Sequence, residues 1–233
     1  MFFCFYIGKS YRYWFLTRES LSEEIRLLYR HYLVRVGVPK NEFWISVDRE
    51  GLVKLTLLGH NWTNLNILKG IPLVELKISK TSVTDLTPLS QCTILRDLTL
   101  DNLKISDLSP IRYLPLEYLR ITGTDIHDLS PITNMPLRVL LLTNTIITNL
   151  EVIAQTDITH LAFSPTKYPQ EQIEKLRSSK IEVFNGCYDR ERFWRFFDAG
   201  VWSGQYTINE IKQILDELGE DYSPRFPQRF EED

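Results

Sequence analysis

Three carboxylates recur at almost constant spacing: Asp85, Asp107 and Asp128, with Asn64 and Asn149 continuing the series on either side. Stacked acidic groups are one way to build a calcium site. Such a site needs several oxygens converging on one point, however, and no glycine-rich acidic loop accompanies these residues. The local wording gives them a different task. Each stands before Leu, and the three aspartates before L-[ST]-P, where an Asp or Asn side chain accepts from the backbone N–H groups of the turn that follows. A second acidic pair, Asp97 and Asp101, is four residues apart. On a strand that spacing puts both on one exposed face, beside Lys77 and Arg120, as a solvated charge pattern rather than an acid–base couple.

The remaining reactive side chains form no constellation. His31, His60, His127 and His160 lack metal-ligand spacing with Cys or carboxylates. No G-x-S-x-G or Cys–His signature occurs, nor does a glycine-rich phosphate loop, an H-R-D loop or a D-F-G triplet. No enzymatic activity, metal or cofactor is expected. Cys4, Cys92 and Cys187 are an odd, unpaired set, which argues against a disulfide framework and fits a reducing, cytoplasmic setting. Cys92 is expected to be a buried thiol. The aromatic N-terminus (Phe2, Phe3, Phe5, Tyr6, Tyr11, Tyr13, Trp14, Phe15) has no basic segment ahead of it and no small-residue cleavage site, so it does not read as a signal peptide. Its apolar run stops at Lys9, too short to span a bilayer. The sequon at Asn61 is taken as a chance match. With 27 basic and 30 acidic side chains, net charge −3, nothing attracts nucleic acid or an anionic membrane surface.

The spacing of the acidic column belongs to a larger pattern. Apolar positions at Leu52, Leu73, Leu95, Leu116, Leu137 and Ile158 open units of 21 or 22 residues. A fixed period of that length means a stacked solenoid. In each unit L-x-x-L-x-L makes a short strand whose alternate side chains point inward. These pairs are Leu76 and Ile78, Leu98 and Leu100, Leu119 and Ile121, Leu140 and Leu142, and Leu161 and Phe163. The next stretch returns to the core at Val83, Leu86 and Leu89, at Ile105, Leu108 and Ile111, and at Ile126, Leu129 and Ile132. It is short and holds a proline, which predicts a 3₁₀ or turn-like segment. Thr81, Thr124, Thr145 and Thr166 form a polar corner column, broken by His60 and Leu103. Their hydroxyls are expected to bond the backbone of the neighbouring coil.

Three regions follow. Residues 1–51 form an N-terminal cap: a helix over 20–36, with a capping box at Ser20 and Glu23 and an end at Gly37 and Pro39, then a strand alternating at Phe43, Ile45 and Val47 and a turn at 48–51. Residues 52–184 are the repeat array, whose last unit carries a helix over 170–177 and a final strand from Ile181 and Val183. Residues 185–233 are an aromatic two-helix cap over 189–219, with Phe193, Trp194 and Phe197 on one face and a capping box at Thr207 and Glu210, followed by a loose tail.

The repeat wording L-x-x-L-x-[LI]-x-x-T-x-[IV]-x-D-L-S-P-[LI]-x-x-x-P-L resembles short-period bacterial leucine-rich repeats of the internalin-like type. It also resembles arrays attached to serine/threonine protein kinases, as does F-W-R-F-F-D-A-G at 193–200, which matches an F-W-x-x-[YF]-D-A-G closing segment. The resemblance implies an α/β fold: a right-handed solenoid with a parallel sheet on its concave face, turn or 3₁₀ segments on the convex face and helical caps at both ends. It implies a non-enzymatic module that binds another protein through the concave face. The alternative is the regulatory or scaffold portion of a kinase system whose kinase domain is not in this chain. Outward positions on the strands form two columns: Lys54, Glu75, Asp97, Tyr118, Val139, His160, and Thr56, Lys77, Thr99, Arg120, Leu141, Ala162. Asp97, Tyr118, Arg120, Val139, Leu141 and His160 are the candidate partner-binding residues, because Tyr, Arg and aliphatic groups gathered on a surface have the composition of an interface centre.

Overall fold

The computed structural model describes residues 18–59, 62–145, 147–186 and 188–220. The aromatic N-terminus, Cys4, His60, Asn61, Cys187 and the C-terminal tail lie outside them. The apolar pattern of each unit folds into one coil. Strands β1 (Phe43–Val47), β2 (Val53–Leu58), β3 (Leu73–Ser79), β4 (Asp97–Asp101), β5 (Tyr118–Arg120), β6 (Val139–Leu141), β7 (His160–Ala162), β8 (Val183–Phe184) and β9 (Tyr188–Asp189) form one sheet in chain order. Pairing from β2 to β8 is parallel, and the outermost pairs, β1–β2 and β8–β9, are antiparallel. Parallel neighbours need a crossover between them, and here each crossover is the rest of one repeat. This is a leucine-rich-repeat solenoid. The inward strand leucines and the crossover residues from Val83 to Ile132 are buried in a single continuous core. In the first unit Val53, not Leu52, fills the buried opening position. A bulge between Val53 and Lys54 then restores the register.

The crossovers tighten into 3₁₀ turns at Asn66–Leu68, Thr87–Gln91, Ser109–Ile111 and Ser130–Ile132. The fifth unit has Glu151-Val152 where the second to fourth have Thr-Pro or Ser-Pro, and it makes a short α-turn instead, α2 (Glu151–Ala154). Every member of the Asp/Asn column accepts a bond from the backbone N–H two residues on, at 2.8 Å for Asn64, Asp85, Asp107 and Asp128 and 2.9 Å for Asn149. These are the expected turn caps. The threonine column behaves differently from its expectation. Thr124 and Thr145 are buried, yet their hydroxyls donate back to the carbonyls of Ile121 and Leu142 in the same coil, at 3.3 and 2.5 Å. Thr81 accepts locally from the Val83 N–H. Thr166 is exposed on a 3₁₀ turn, Pro165–Lys167.

A second corner column sits just after each strand. Gly59, Lys80, Asn102, Gly123 and Asn144 all have φ between 54 and 113°, in the left-handed region. There the chain turns out of the strand while the N–H groups of Lys80, Asn102 and Gly123 still donate to the next coil, at 3.1, 2.8 and 3.1 Å. Pro165 occupies the next position in this series. A proline ring fixes φ near −65° and forbids the turn. The corner is therefore remade as a 3₁₀ segment, and the uniform array stops there.

Both ends are closed by a hairpin and helices. At the N-terminus α1 is described over Arg18–Arg35, so Ser20 lies inside the helix rather than at its cap. It ends in a Schellman motif: Gly37 donates to Val34, Val38 donates to Leu33, and Leu33 and Val38 are both buried. At the C-terminus the helix expected over 170–177 is α only in α3 (Gln170–Glu174) and narrows to 3₁₀ over Lys175–Ser178. Phe184, not Val183, is the inward residue of the last parallel strand; Ile181 is buried just before it. Asn185 and Gly186, both left-handed, then turn the chain into β9. Helices α4 (Arg190–Asp198) and α5 (Ile208–Glu217) follow. The Thr207–Glu210 capping box forms in full. Phe193 stacks on Phe184 at 3.9 Å with the rings 9° apart, and Arg177 lies 4.2 Å from the Trp194 ring while pairing with Asp198 at 2.5 Å. Phe196, not singled out in the sequence, is buried against Tyr188 and Trp202.

Candidate functional site

Strand alternation leaves every second side chain of the sheet facing away from the core. The pairing aligns these side chains into the two expected columns without a slip: Lys54, Glu75, Asp97, Tyr118, Val139 and His160 in one, and Thr56, Lys77, Thr99, Arg120, Leu141 and Ala162 in the other. All six candidate residues therefore share one face, on four consecutive strands. Asp97 is on β4, Tyr118 and Arg120 on β5, Val139 and Leu141 on β6, and His160 on β7. His160 is exposed, and its Nδ1 lies 2.9 Å from the Thr159 hydroxyl. The other five are half-buried rather than exposed, because neighbouring columns pack shoulder to shoulder.

The charged half of the face is internally paired. Glu75 holds Lys54 at 3.0 Å and Lys77 at 2.6 Å. The Lys77 bond, with help from Lys54, keeps the Glu75 carboxyl below its ordinary range. Arg120 is drawn to Asp101, with Nε 2.8 Å from Oδ1. Burial raises the Asp101 carboxyl despite that cation. Among the described residues, no ion pair forms at Asp97. Burial and the like charge of Glu75 push its carboxyl upward, and burial pushes up the Tyr118 phenol in the next strand.

Three features of this face were not among the sequence-derived candidates. Trp44 pairs across β1–β2 with Thr56, so it extends the second column, and it is 59% exposed. Its alternation with Phe43 and Ile45 signals the outward direction; its place beside Thr56 needed the antiparallel register. Val183 continues the first column beyond His160. A third column runs along the edge: Ser79 pairs with Asp101, and the Thr122 and Thr143 hydroxyls lie 3.1 Å apart. Among the described residues, no group of His, Cys, Asp and Glu is placed to hold a metal, and no helix is long and apolar enough to cross a membrane.

No protein-family profile and no curated protein sequence matches the chain. Among solved structures it is similar to an internalin, inlF, from Listeria monocytogenes, with 23% identity and a TM-score of 0.49, covering 70% of this chain and 54% of that one. It is also similar to internalin C2, inlC2, from the same organism, with 23% identity and a TM-score of 0.43, covering 55% of this chain and 69% of that one. The chain thus spans about half the length of the first of these structures.

Proposed function

We propose that the chain is a non-enzymatic protein-binding module that takes its partner on the concave face, at Asp97, Tyr118, Arg120, Val139, Leu141 and His160. One observation carries this reading. Tyr118, Val139, Leu141 and Ala162 stand side by side as a half-buried, largely apolar patch beside paired charges, with Val183 beyond His160, on strands fixed by a buried leucine core. Such a surface is preorganised, so little order has to be imposed when a partner arrives. Aromatic, aliphatic and Arg groups at a centre with charges around it match the composition of protein interfaces. The mixed charges of the face offer no phosphate-binding stripe, which argues for protein rather than nucleic acid or an anionic membrane. A cytoplasmic setting agrees with Cys92 as a free, buried thiol.

The test is partner capture from the native cell with the wild type and with a triple variant, Y118A/R120E/L141E, whose fold is checked by circular dichroism. The variant should lose the partners that the wild type retains. Equal capture by the folded variant rejects the face. The second reading, a regulatory or scaffold part of a serine/threonine kinase system, rests on the wording of the repeats and of 193–200. The comparisons add no support to it. A kinase reading frame beside this gene, whose product is captured with the chain, would favour it.

A further inference from the structure

Each cation on the face is already committed. Lys54 and Lys77 serve Glu75, and Arg120 serves Asp101. Glu117, just outside the face, holds Arg96. Asp97 alone of these carboxylates has no ion pair among the described residues; Glu75 and Glu117 add negative potential at its position, and Lys54 and Lys77, both held by Glu75, offset part of it. In the next strand Tyr118 stands in register with it, and beyond Tyr118 comes Val139. Strands lie roughly 4.8 Å apart, so Asp97, the Tyr118 ring and the apolar surface fall within about 10 Å along the sheet.

Building on the concave-face reading, we propose that the partner is a protein segment that docks a Lys or Arg side chain at Asp97, against the Tyr118 ring, with an apolar side chain seated on Tyr118, Val139 and Leu141. Charge complementarity decides the sign. An incoming carboxylate would meet the unpaired Asp97, while a cation meets that carboxylate and the negative face of an aromatic ring; Lys54 and Lys77 lie in reach of Asp97 but are held by Glu75. Partial burial strengthens that pairing relative to an open surface. It also explains how a carboxylate that is disfavoured in the free protein gains its partner only in the complex.

The test is selection of short random peptides displayed on phage against the full chain. Winners are then remade as synthetic peptides and titrated against wild type, D97N, D97K and L141E, each checked for folding by thermal melting. Winners should carry a Lys or Arg near an apolar residue. They should bind D97N about tenfold more weakly, a difference of roughly 1.4 kcal/mol. A winner with its basic residue changed to Glu should fail on wild type and recover on D97K. Winners without a basic residue, or undiminished binding to D97N, overturn the proposal. If L141E weakens the peptides and D97N does not, the cation site falls and the concave-face reading stands. If neither variant weakens them, both fall.

Discussion

Single residues in this chain do their work at corners. Asp107 and Asp128 each cap a turn through a 2.8 Å bond, and their carboxyls are lowered chiefly by hydrogen bonds from Ser109 and Ser130. Replacing either by Ala should lower stability by roughly 0.5–1 kcal/mol in urea denaturation at neutral pH. A carboxyl lowered on folding stabilises above its ordinary range and loses that contribution as pH falls through its folded value. The gap between wild type and variant should therefore shrink below about pH 4. Asp97 has the opposite sign. Its carboxyl is raised, so the native state holds the proton more tightly and stability declines as pH rises through the folded value. Asp97→Asn should melt higher than wild type at neutral pH, and the difference should vanish below about pH 4. Lys80 holds a left-handed corner, φ 54°, that Asn102 and Asn144 also hold. Lys80→Asn should stabilise the chain by a few tenths to about 1 kcal/mol, read from the denaturation midpoint. The aspartate caps were legible because one residue type repeats before L-[ST]-P. The left-handed column was not, because Gly, Lys and Asn share a backbone angle but no side-chain chemistry. The threonine column misled for a related reason: a buried hydroxyl needs an acceptor, and its own coil offered one nearer than the neighbour did.

Elements separate into those fixed by local pattern and those fixed by what they cap. The strands of the middle units and their two outward columns were legible, since alternation and a constant period together determine both facing and register; the first and last strands slipped by a residue, at Val53 and Phe184, and the columns run further than expected, to Trp44 and Val183. Helix ends were less so. Ser20 fell inside α1 rather than at its cap, and the helix expected over 170–177 gave up its last turn to 3₁₀ geometry, because that terminal segment bends to cover the open end of the core rather than to complete a helix. The C-terminal cap depends on aromatic packing, with Phe193 at its centre against Phe163, Phe184, Trp194 and Trp202. Phe193→Ala should cost about 3–5 kcal/mol. Hydrogen exchange should show the loss first in β7, β8 and β9, while β3 to β5 stay protected, because each coil leans only on its neighbours. Uniform loss of protection along the whole sheet would show that the cap acts on the array as one cooperative unit.

At the scale of the whole molecule, stability is a chain of coil-to-coil contacts, and the middle of the sheet supports both the fold and the candidate surface. Leu119 is fully buried directly beneath the row of Tyr118 and Arg120. Leu119→Ala should lose about 2–5 kcal/mol and weaken partner capture even though Leu119 faces away from it. Leu33→Ala, at the buried N-terminal cap, should lower stability without that second effect. How the two columns are arranged was readable from the sequence; that no ion pair forms at Asp97 among the described residues was not, since pairing depends on side-chain reach across strands. One consequence reaches beyond this molecule. Pro165 breaks the left-handed corner series, so the last coil, from Pro165 to β8, is built differently and acts as a terminator of the uniform array. Duplication or loss of a repeat between Gly59 and Asn144 would leave both caps and that terminator in place, and would widen or narrow the recognition surface one strand at a time, roughly 4.8 Å per step. The gene can thus resize its surface without redesigning its ends.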